Sequence, residues 1–217
     1  MFPVADINRV RRPAVVVRWL VAANVLVFLY ELALSPAARQ ALFYQYGFVP
    51  QAFWADPAGR FYTLFTSAFL HGGVAHILGN MWFLWVFADN IEDRMGGGRF
   101  LVFYLLGAAA AALAQGLVMP GSDTPMVGAS GAISATLGAY LRLFPQVPVL
   151  TMVVLAFYPV FFYLPAWFYL GYWAFLQFIE GLMGVPGIAF WAHLGGFFYG
   201  YLAAAVFVPA GGRWRRW

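Results

Sequence analysis

The sequence predicts an all-α membrane protein, a bundle of six transmembrane helices in a single domain over residues 1–217. Hydrophobic residues make up 64% of the chain and charged residues only 9%, which leaves too little polar surface for a water-soluble globule. The apolar residues form long unbroken blocks, whereas a transmembrane β-barrel has alternating segments of about 10 residues. These two observations favour a helical bundle whose solvent is a lipid bilayer.

Six apolar blocks are candidate membrane spans, because about 20 helical residues cross a hydrocarbon core of roughly 30 Å. They cover about residues 15–34, 72–88, 100–118, 130–144, 163–182 and 188–208. The first block follows a basic segment, as the apolar region of a signal peptide does. Its length and the position of Glu31 favour a membrane span instead.

Two connecting segments need separate interpretation. Residues 35–71 are rich in aromatic side chains, which predicts a long outer loop lying in the membrane interface. The apolar stretch 147–162 is interrupted by Pro148 and Pro159. The sequence leaves two interpretations of that stretch open, an inner connector lying against the membrane or an extension of the fifth helix.

The arginines predict the orientation of the chain. All 12 basic residues are arginines, and only Arg39 and Arg60 fall in segments on one side of the six predicted spans. The other side carries Arg9, Arg11, Arg12, Arg18, Arg94, Arg99, Arg142, Arg213, Arg215 and Arg216. The positive-inside rule then places both termini in the cytoplasm, and we expect a prokaryotic cytoplasmic membrane. Because the arginines are scattered, no nucleic-acid-binding face is predicted.

Polar side chains at membrane depth are costly, so each is a candidate functional residue. The set consists of His71, His76 and Asn80 in the second span, Ser130 in the fourth and His193 in the sixth. At about 1.5 Å per residue, His76, Ser130 and His193 each lie roughly 20–22 Å above the inner ends of their helices. Three helices therefore bring polar groups to one level, which predicts a shared site on the outer side.

The fourth span is too short to reach the outer face of the membrane from its inner end. Residues Met119 to Ala129 are therefore predicted to dip inward as non-helical backbone, which a membrane protein tolerates only in a protein-lined or wet cavity. A water-filled pocket above Ser130 follows, and hydrolysis inside a bilayer needs such water.

Small residues around Ser130 and His193 let their two helices approach closely. A ring nitrogen of His193 within hydrogen-bond reach of Ser130 Oγ accepts the hydroxyl proton, which makes the serine a nucleophile. Ser130 is the first residue of its helix, so its backbone N–H has no partner within that helix. His76 and Asn80 lie one turn apart on the same helix face. These three groups are candidate oxyanion donors. His71 is a candidate supporting residue.

Two acids, Asp123 and Glu180, lie at the outer ends of their segments and are candidates for orienting His193, although neither spacing is diagnostic.

Three segments resemble, in order and in host helix, the signature motifs of rhomboid proteases. They are the stretch from His71 to Asn80 (HGGVAHILGN), residues 128–131 (GASG) and residues 192–197 (AHLGGF). The similarity extends over essentially the whole chain, including residues 92–96, which look like the family's cytoplasmic turn. Many bacterial members have a Trp-Arg pair before the first histidine, where this chain has Tyr62 and Thr63.

The resemblance implies a six-helix bundle and a serine endopeptidase with a Ser-His dyad and no third acid. It assigns Ser130 as nucleophile, His193 as base, and His76, Asn80 and the Ser130 amide as oxyanion donors. Gly128 would allow the close approach of the loop to the site. We expect no cofactor and no metal site.

The expected substrates are transmembrane segments of other membrane proteins, cut near their outer ends. The resemblance implies lateral access past the fifth helix and the loop over the site, and it leaves open which of the two opens; Trp167, Phe168 and Trp173 are candidate gate residues. A catalytically silent protein of the same fold that binds membrane clients is the main alternative. A transporter or channel would need polar residues along a path through both leaflets, and here they cluster on one side.

Overall fold

A computed structural model describes residues 1–209, and this part of the chain is mostly helical. The strands are β1 (Phe2–Asp6), β2 (Pro148–Leu155) and β3 (Tyr158–Pro165). The helices are α1 (Val15–Ala33), α2 (Pro36–Tyr46), α3 (Pro50–Ala55), α4 (Pro57–Arg60), α5 (Thr63–Thr66), α6 (Val74–Met95), α7 (Gly97–Val118), α8 (Ser130–Leu143), α9 (Ala166–Leu182) and α10 (Phe190–Phe207). A short 3₁₀ helix at Ser67–Phe69 follows α5.

The six predicted helical blocks coincide with α1 and with α6 to α10. Their ends agree within three residues except at the C-terminal end of α6, which continues to Met95. The prediction of a turn over residues 92–96 is therefore wrong except at Gly96, whose φ of +80° ends the helix. Glu92 remains helical and accepts hydrogen bonds from the backbone N–H groups of Val16 at 2.9 Å and Val17 at 2.8 Å. These donors begin α1 and have no partner within that helix.

Three helices of the described chain are long and apolar enough to cross a membrane by length and composition, namely α1, α7 and α10. Helices α8 and α9, with 14 and 17 residues, are shorter. Of the arginines used to predict the orientation, Arg213, Arg215 and Arg216 lie outside the described residues.

Helix α8 forms the centre of the bundle, where it packs against α6, α7 and α10. Its residues from Gly131 to Tyr140 are all buried. A Cβ atom built on Gly196 of α10 would collide with the carbonyl oxygen of Gly131, and one on Gly200 would collide with that of Ala135. The two helices therefore touch backbone to backbone, as small residues allow in membranes.

The segment 147–162 is neither helical nor an extension of the fifth helix. Strands β2 and β3 form an antiparallel hairpin, and β1 pairs with β2 to complete a three-stranded sheet. The two-residue turn, Ala156 and Phe157, has φ values of 47° and 74°. Prolines and β-branched residues disfavour a helix here, and Pro159 and Pro165 are tolerated because β3 is an edge strand. The all-α prediction is therefore incomplete.

Asp6 at the end of β1 ties this sheet to the helices. Its Oδ2 accepts a hydrogen bond from the Tyr140 hydroxyl of α8 and another from Asn90 Nδ2 of α6 at 2.9 Å. Burial raises the pKa of Asp6 to about 7, the hydrogen bond from Tyr140 opposes this shift, and the charge of Asp89 adds to it. The folded chain therefore holds a proton at Asp6 at a pH where the unfolded chain releases it.

We expect the Asp6→Asn variant to change how stability depends on pH. A carboxyl whose pKa is raised on folding contributes most below its unfolded value, and this contribution is lost as pH rises from about 4 to about 7. The melting temperature of the variant minus that of the parent should therefore be larger at pH 8 than at pH 5, as measured by thermal unfolding in detergent. A difference in melting temperature that is the same at both values would contradict the assignment.

The segment between α1 and α6 is held by hydrogen bonds to the last carbonyl groups of α2. Tyr62 Oη donates to the carbonyl oxygen of Gln45 at 2.9 Å, and Thr66 Oγ1 donates to that of Tyr46 at 2.7 Å. Arg60 Nη1 donates to the carbonyl oxygen of Tyr44 at 3.3 Å. Because terminal helix carbonyls lack partners within their own helix, these donors anchor the loop without a Trp-Arg pair.

Candidate active site

A cavity of about 600 Å³ opens between α6, α8, α9 and α10. One wall of the cavity includes Met126 to Gly128 of the non-helical segment before α8. The prediction that residues 119–129 are non-helical is confirmed. This backbone is held by a bridge between Phe48 and Met126, and the Gly128 N–H donates to the carbonyl oxygen of Ser67 at 2.9 Å.

Ser130 and His193 meet in this cavity. Ser130 is the first residue of α8 and His193 lies in the first turn of α10, and Ser130 Oγ is 2.8 Å from His193 Nε2. The close contact of Gly196 with Gly131, one residue beyond Ser130, holds the two helix ends together. The hydroxyl and the imidazole are therefore at the distance that a nucleophile and its base require.

Gln177 of α9 lies on the other side of the His193 ring. Its Oε1 is 2.5 Å from His193 Nδ1, while the ring also packs against Trp173 and the edge of Phe190 at centroid distances of 6.0 and 6.4 Å. Sequence analysis missed this residue because it considered only the acids Asp123 and Glu180 as partners. The available signal was an isolated polar residue in the apolar run of α9, one turn before Glu180.

His76 and Asn80 face the same cavity from α6. His76 Nδ1 accepts a hydrogen bond from the Gly72 N–H at 3.4 Å, so its neutral ring carries the proton on Nε2 and presents a donor there. Asn80 Nδ2 is buried and has no acceptor among residues 1–209. Two side-chain donors therefore line the same cavity as Ser130, whose backbone N–H the helix itself leaves unused.

Gly128 brings the loop against these donors. A Cβ atom there would lie 2.7 Å from both Cε1 and Nε2 of the His76 ring, and the glycine φ is +128°. L side chains rarely adopt that backbone conformation. Only glycine therefore combines this backbone with the close contact to His76.

His71 lies behind His76 and does not line the cavity. Its side chain is fully buried, and neither ring nitrogen has a hydrogen-bond partner within the described residues. Its backbone N–H donates to the Glu31 carboxylate of α1, with distances of 3.1 and 3.3 Å to the two oxygens. The structure thus places His71 at the contact between α1 and the start of α6.

The three candidate gate residues occupy different positions. Trp173 lines the cavity beside His193. Trp167 and Phe168 are exposed in the first turn of α9, about 15 Å along the helix axis from Gln177. Trp173, which lines the cavity, lies about 9 Å along the helix axis from Trp167, and a gate at Trp167 and Phe168 stays a prediction.

Comparison with known families identifies the domain that carries this cavity. Residues 58–210 match the Rhomboid domain, which is more than half of the chain. The chain belongs to the rhomboid family. With its long apolar helices, this rhomboid protein is an integral membrane protein.

Several curated relatives align with parts of the chain. "Rhomboid protease GluP" of Bacillus subtilis (strain 168) is 39% identical over 83 residues, which cover 38% of this chain and 16% of the relative. The human "Presenilin-associated rhomboid-like protein, mitochondrial" is 30% identical over 131 residues, or 58% of this chain and 32% of the relative. "Putative rhomboid protease YdcA" of Bacillus subtilis (strain 168) is 35% identical over 83 residues, which cover 38% of this chain and 41% of the relative. The alignments thus span less than half the length of each relative.

Proposed function

We propose that this rhomboid protein is an intramembrane serine endopeptidase that hydrolyses peptide bonds in or near transmembrane segments of other membrane proteins. The observation that carries the proposal is the 2.8 Å contact between Ser130 Oγ and His193 Nε2 in a cavity large enough for a peptide strand. The names of two bacterial relatives, "Rhomboid protease GluP" and "Putative rhomboid protease YdcA", support the same chemistry.

In the proposed reaction, Ser130 Oγ attacks the scissile carbonyl carbon while its proton passes to His193 Nε2. The carbonyl oxygen becomes an oxyanion, which accepts hydrogen bonds from His76, Asn80 and the Ser130 N–H. The C–N bond then breaks, and the proton on His193 transfers to the departing amine. Water attacks the acyl-serine with His193 as base, and the acid product leaves with Ser130 restored.

We also propose that α1 and α6 to α10 all cross the bilayer, with both termini in the cytoplasm of a prokaryotic cell. Segments assigned to the inner side hold ten of the 12 arginines, which supports this orientation. The cavity lies at the outer ends of α6, α8 and α10 in that arrangement. Water then reaches the site from the outer side, and a substrate helix approaches through the lipid.

The proposal is tested by reconstituting the purified protein in liposomes with a set of single-span membrane proteins that have small residues near their outer ends. We expect new termini within or beside the spans, identified by mass spectrometry. Identical fragments from the Ser130→Ala variant would contradict the proposal. Capture of uncleaved spans by a protein that cleaves none would indicate the silent client-binding alternative.

We expect the Asn80→Ala variant to lower kcat by roughly 10²-fold to 10³-fold with little change in KM, because an oxyanion donor acts mainly in the transition state. The measurement is steady-state cleavage of a reconstituted substrate. The matched control is Asn24→Ala, since Asn24 is a buried asparagine of α1 whose Nδ2 bonds to the carbonyl oxygen of Leu20. Equal losses in both variants would remove Asn80 from the oxyanion site.

A further inference from the structure

The Nδ1 edge of His193 meets a neutral amide. Gln177 is 8% exposed, and its Oε1 lies 2.5 Å from Nδ1, while Nε2 on the opposite edge of the ring lies 2.8 Å from Ser130 Oγ. An amide oxygen only accepts hydrogen bonds, so the shared proton belongs to Nδ1. The lone pair of Nε2 is then directed at the Ser130 hydroxyl.

The tautomer of a neutral imidazole is set by the hydrogen bond that its other nitrogen makes. With the proton on Nε2 instead, His193 would have no free lone pair facing Ser130 and would not act as a base. The aromatic rings of Trp173 and Phe190 surround the imidazole but offer no strong acceptor. Among residues 1–209, the hydrogen-bond partner of His193 Nδ1 is thus Gln177 Oε1.

We infer that Gln177 is a positioning residue for His193 and forms the third member of a Ser130, His193 and Gln177 arrangement. The inference rests on the proposed function for its consequence in catalysis. A side-chain amide in this role has a counterpart in the Cys-His-Asn constellation of papain-like proteases. In a membrane, a neutral amide orients the ring without adding a buried charge, which is costly at that depth.

The proposal predicts the effect of removing the acceptor while keeping the side-chain bulk. We expect the Gln177→Leu variant to lose roughly 10-fold to 100-fold in kcat with KM unchanged, by analogy with the loss that is typical when a partner orienting a metal-bound histidine is removed. The Gln177→Glu variant keeps an acceptor oxygen at the same position and should recover most of the lost rate. Cleavage of a reconstituted substrate measures both.

A second measurement follows the imidazole itself and does not depend on catalysis. Protein labelled with ¹⁵N-histidine is studied by NMR in detergent, and the His193 signals are assigned by their loss in the His193→Ala variant. We expect the parent to show a hydrogen-bonded Nδ1–H and an unprotonated Nε2. In Gln177→Leu, this Nδ1–H signal should disappear or the ring should populate both tautomers.

The matched control is Gln115→Leu. Gln115 is also a buried glutamine that contacts α10, but its Oε1 accepts from the backbone N–H of Ala192 at 3.2 Å and not from the ring. This control should keep the Nδ1–H signal of His193. A parent with the proton on Nε2, or an unchanged signal in a folded Gln177→Leu variant, would overturn the proposal. The expected NMR change in a protein that cleaves nothing would uphold the contact and refute the proposed protease activity.

Discussion

Ser130→Ala is expected to lower the cleavage rate by at least about 10⁴-fold, to the background of the assay. The substitution removes the hydroxyl that lies 2.8 Å from His193 Nε2, so the proposed covalent intermediate should not form. The backbone of α8 and the close contact with α10 are unaffected, and the variant should fold as the parent does. Substrate binding should persist, which co-purification of an uncleaved span with the variant would show.

Ser134→Ala is the matched control for that substitution. Ser134 lies one turn further along α8, and its hydroxyl bonds to the carbonyl oxygen of Ser130 at 2.7 Å. No imidazole contacts this hydroxyl among the described residues, so most of the activity should remain. Comparable losses in both variants would mean that α8 is merely sensitive to substitution, and Ser130 would then have no special role.

Gly200→Ala is expected to lower stability and activity without touching the candidate site. The added Cβ would collide with the carbonyl oxygen of Ala135, a backbone atom that cannot move aside as a flexible side chain does. Overpacking of this kind costs about 1–3 kcal/mol. It also pushes α10 away from α8, and a displacement of about 1 Å between reacting groups costs on the order of 10²-fold in rate. Thermal unfolding and the cleavage rate measure the two effects.

Gly171→Ala separates this packing effect from a general intolerance of helical glycine substitutions. Gly171 lies within α9, and a Cβ atom built there meets nothing within 4 Å. Because alanine has the higher helix propensity, stability should be unchanged or should rise by up to about 1 kcal/mol. Full stability and activity in Gly200→Ala would show that the close contact of α8 and α10 is not required.

The helices, and the common level of the candidate site residues, were predictable from the sequence for a physical reason. In a bilayer every polar side chain within a span is conspicuous, so the levels of His76, Ser130 and His193 could be counted from the ends of their helices. The short α8 likewise required non-helical backbone above it, and residues 119–129 have that form.

The sheet could not be predicted in this way. Strand β1 pairs Phe2 with Met152 and Asp6 with Val149, partners more than 140 residues apart in sequence. The turn of the hairpin uses Ala156 and Phe157 at positive φ, without the glycine or asparagine that normally indicates such a turn. Apolar strands beside membrane helices also have no alternation of polar residues to reveal them.

Gln177 was missed because the sequence pattern directed attention to charged partners for His193. An uncharged amide contributes little to the pattern of ionisable residues, and its side chain is brought to His193 only by the packing of α9 on α10. The hydrogen bond to Nδ1 thus depends on tertiary structure. The common depth of His76, Ser130 and His193, in contrast, can be counted along each helix separately.

The most direct test of an activated serine is fluorophosphonate labelling of the purified protein, with the modified residue mapped by mass spectrometry. Ser130→Ala and His193→Ala are compared with the parent, and each is shown to be folded by its thermal transition. We predict that the parent is labelled at Ser130 and that neither variant is labelled there. Equal labelling of the parent and the His193→Ala variant, or a folded parent that takes no label, would contradict the assignment of Ser130 and His193 as nucleophile and base.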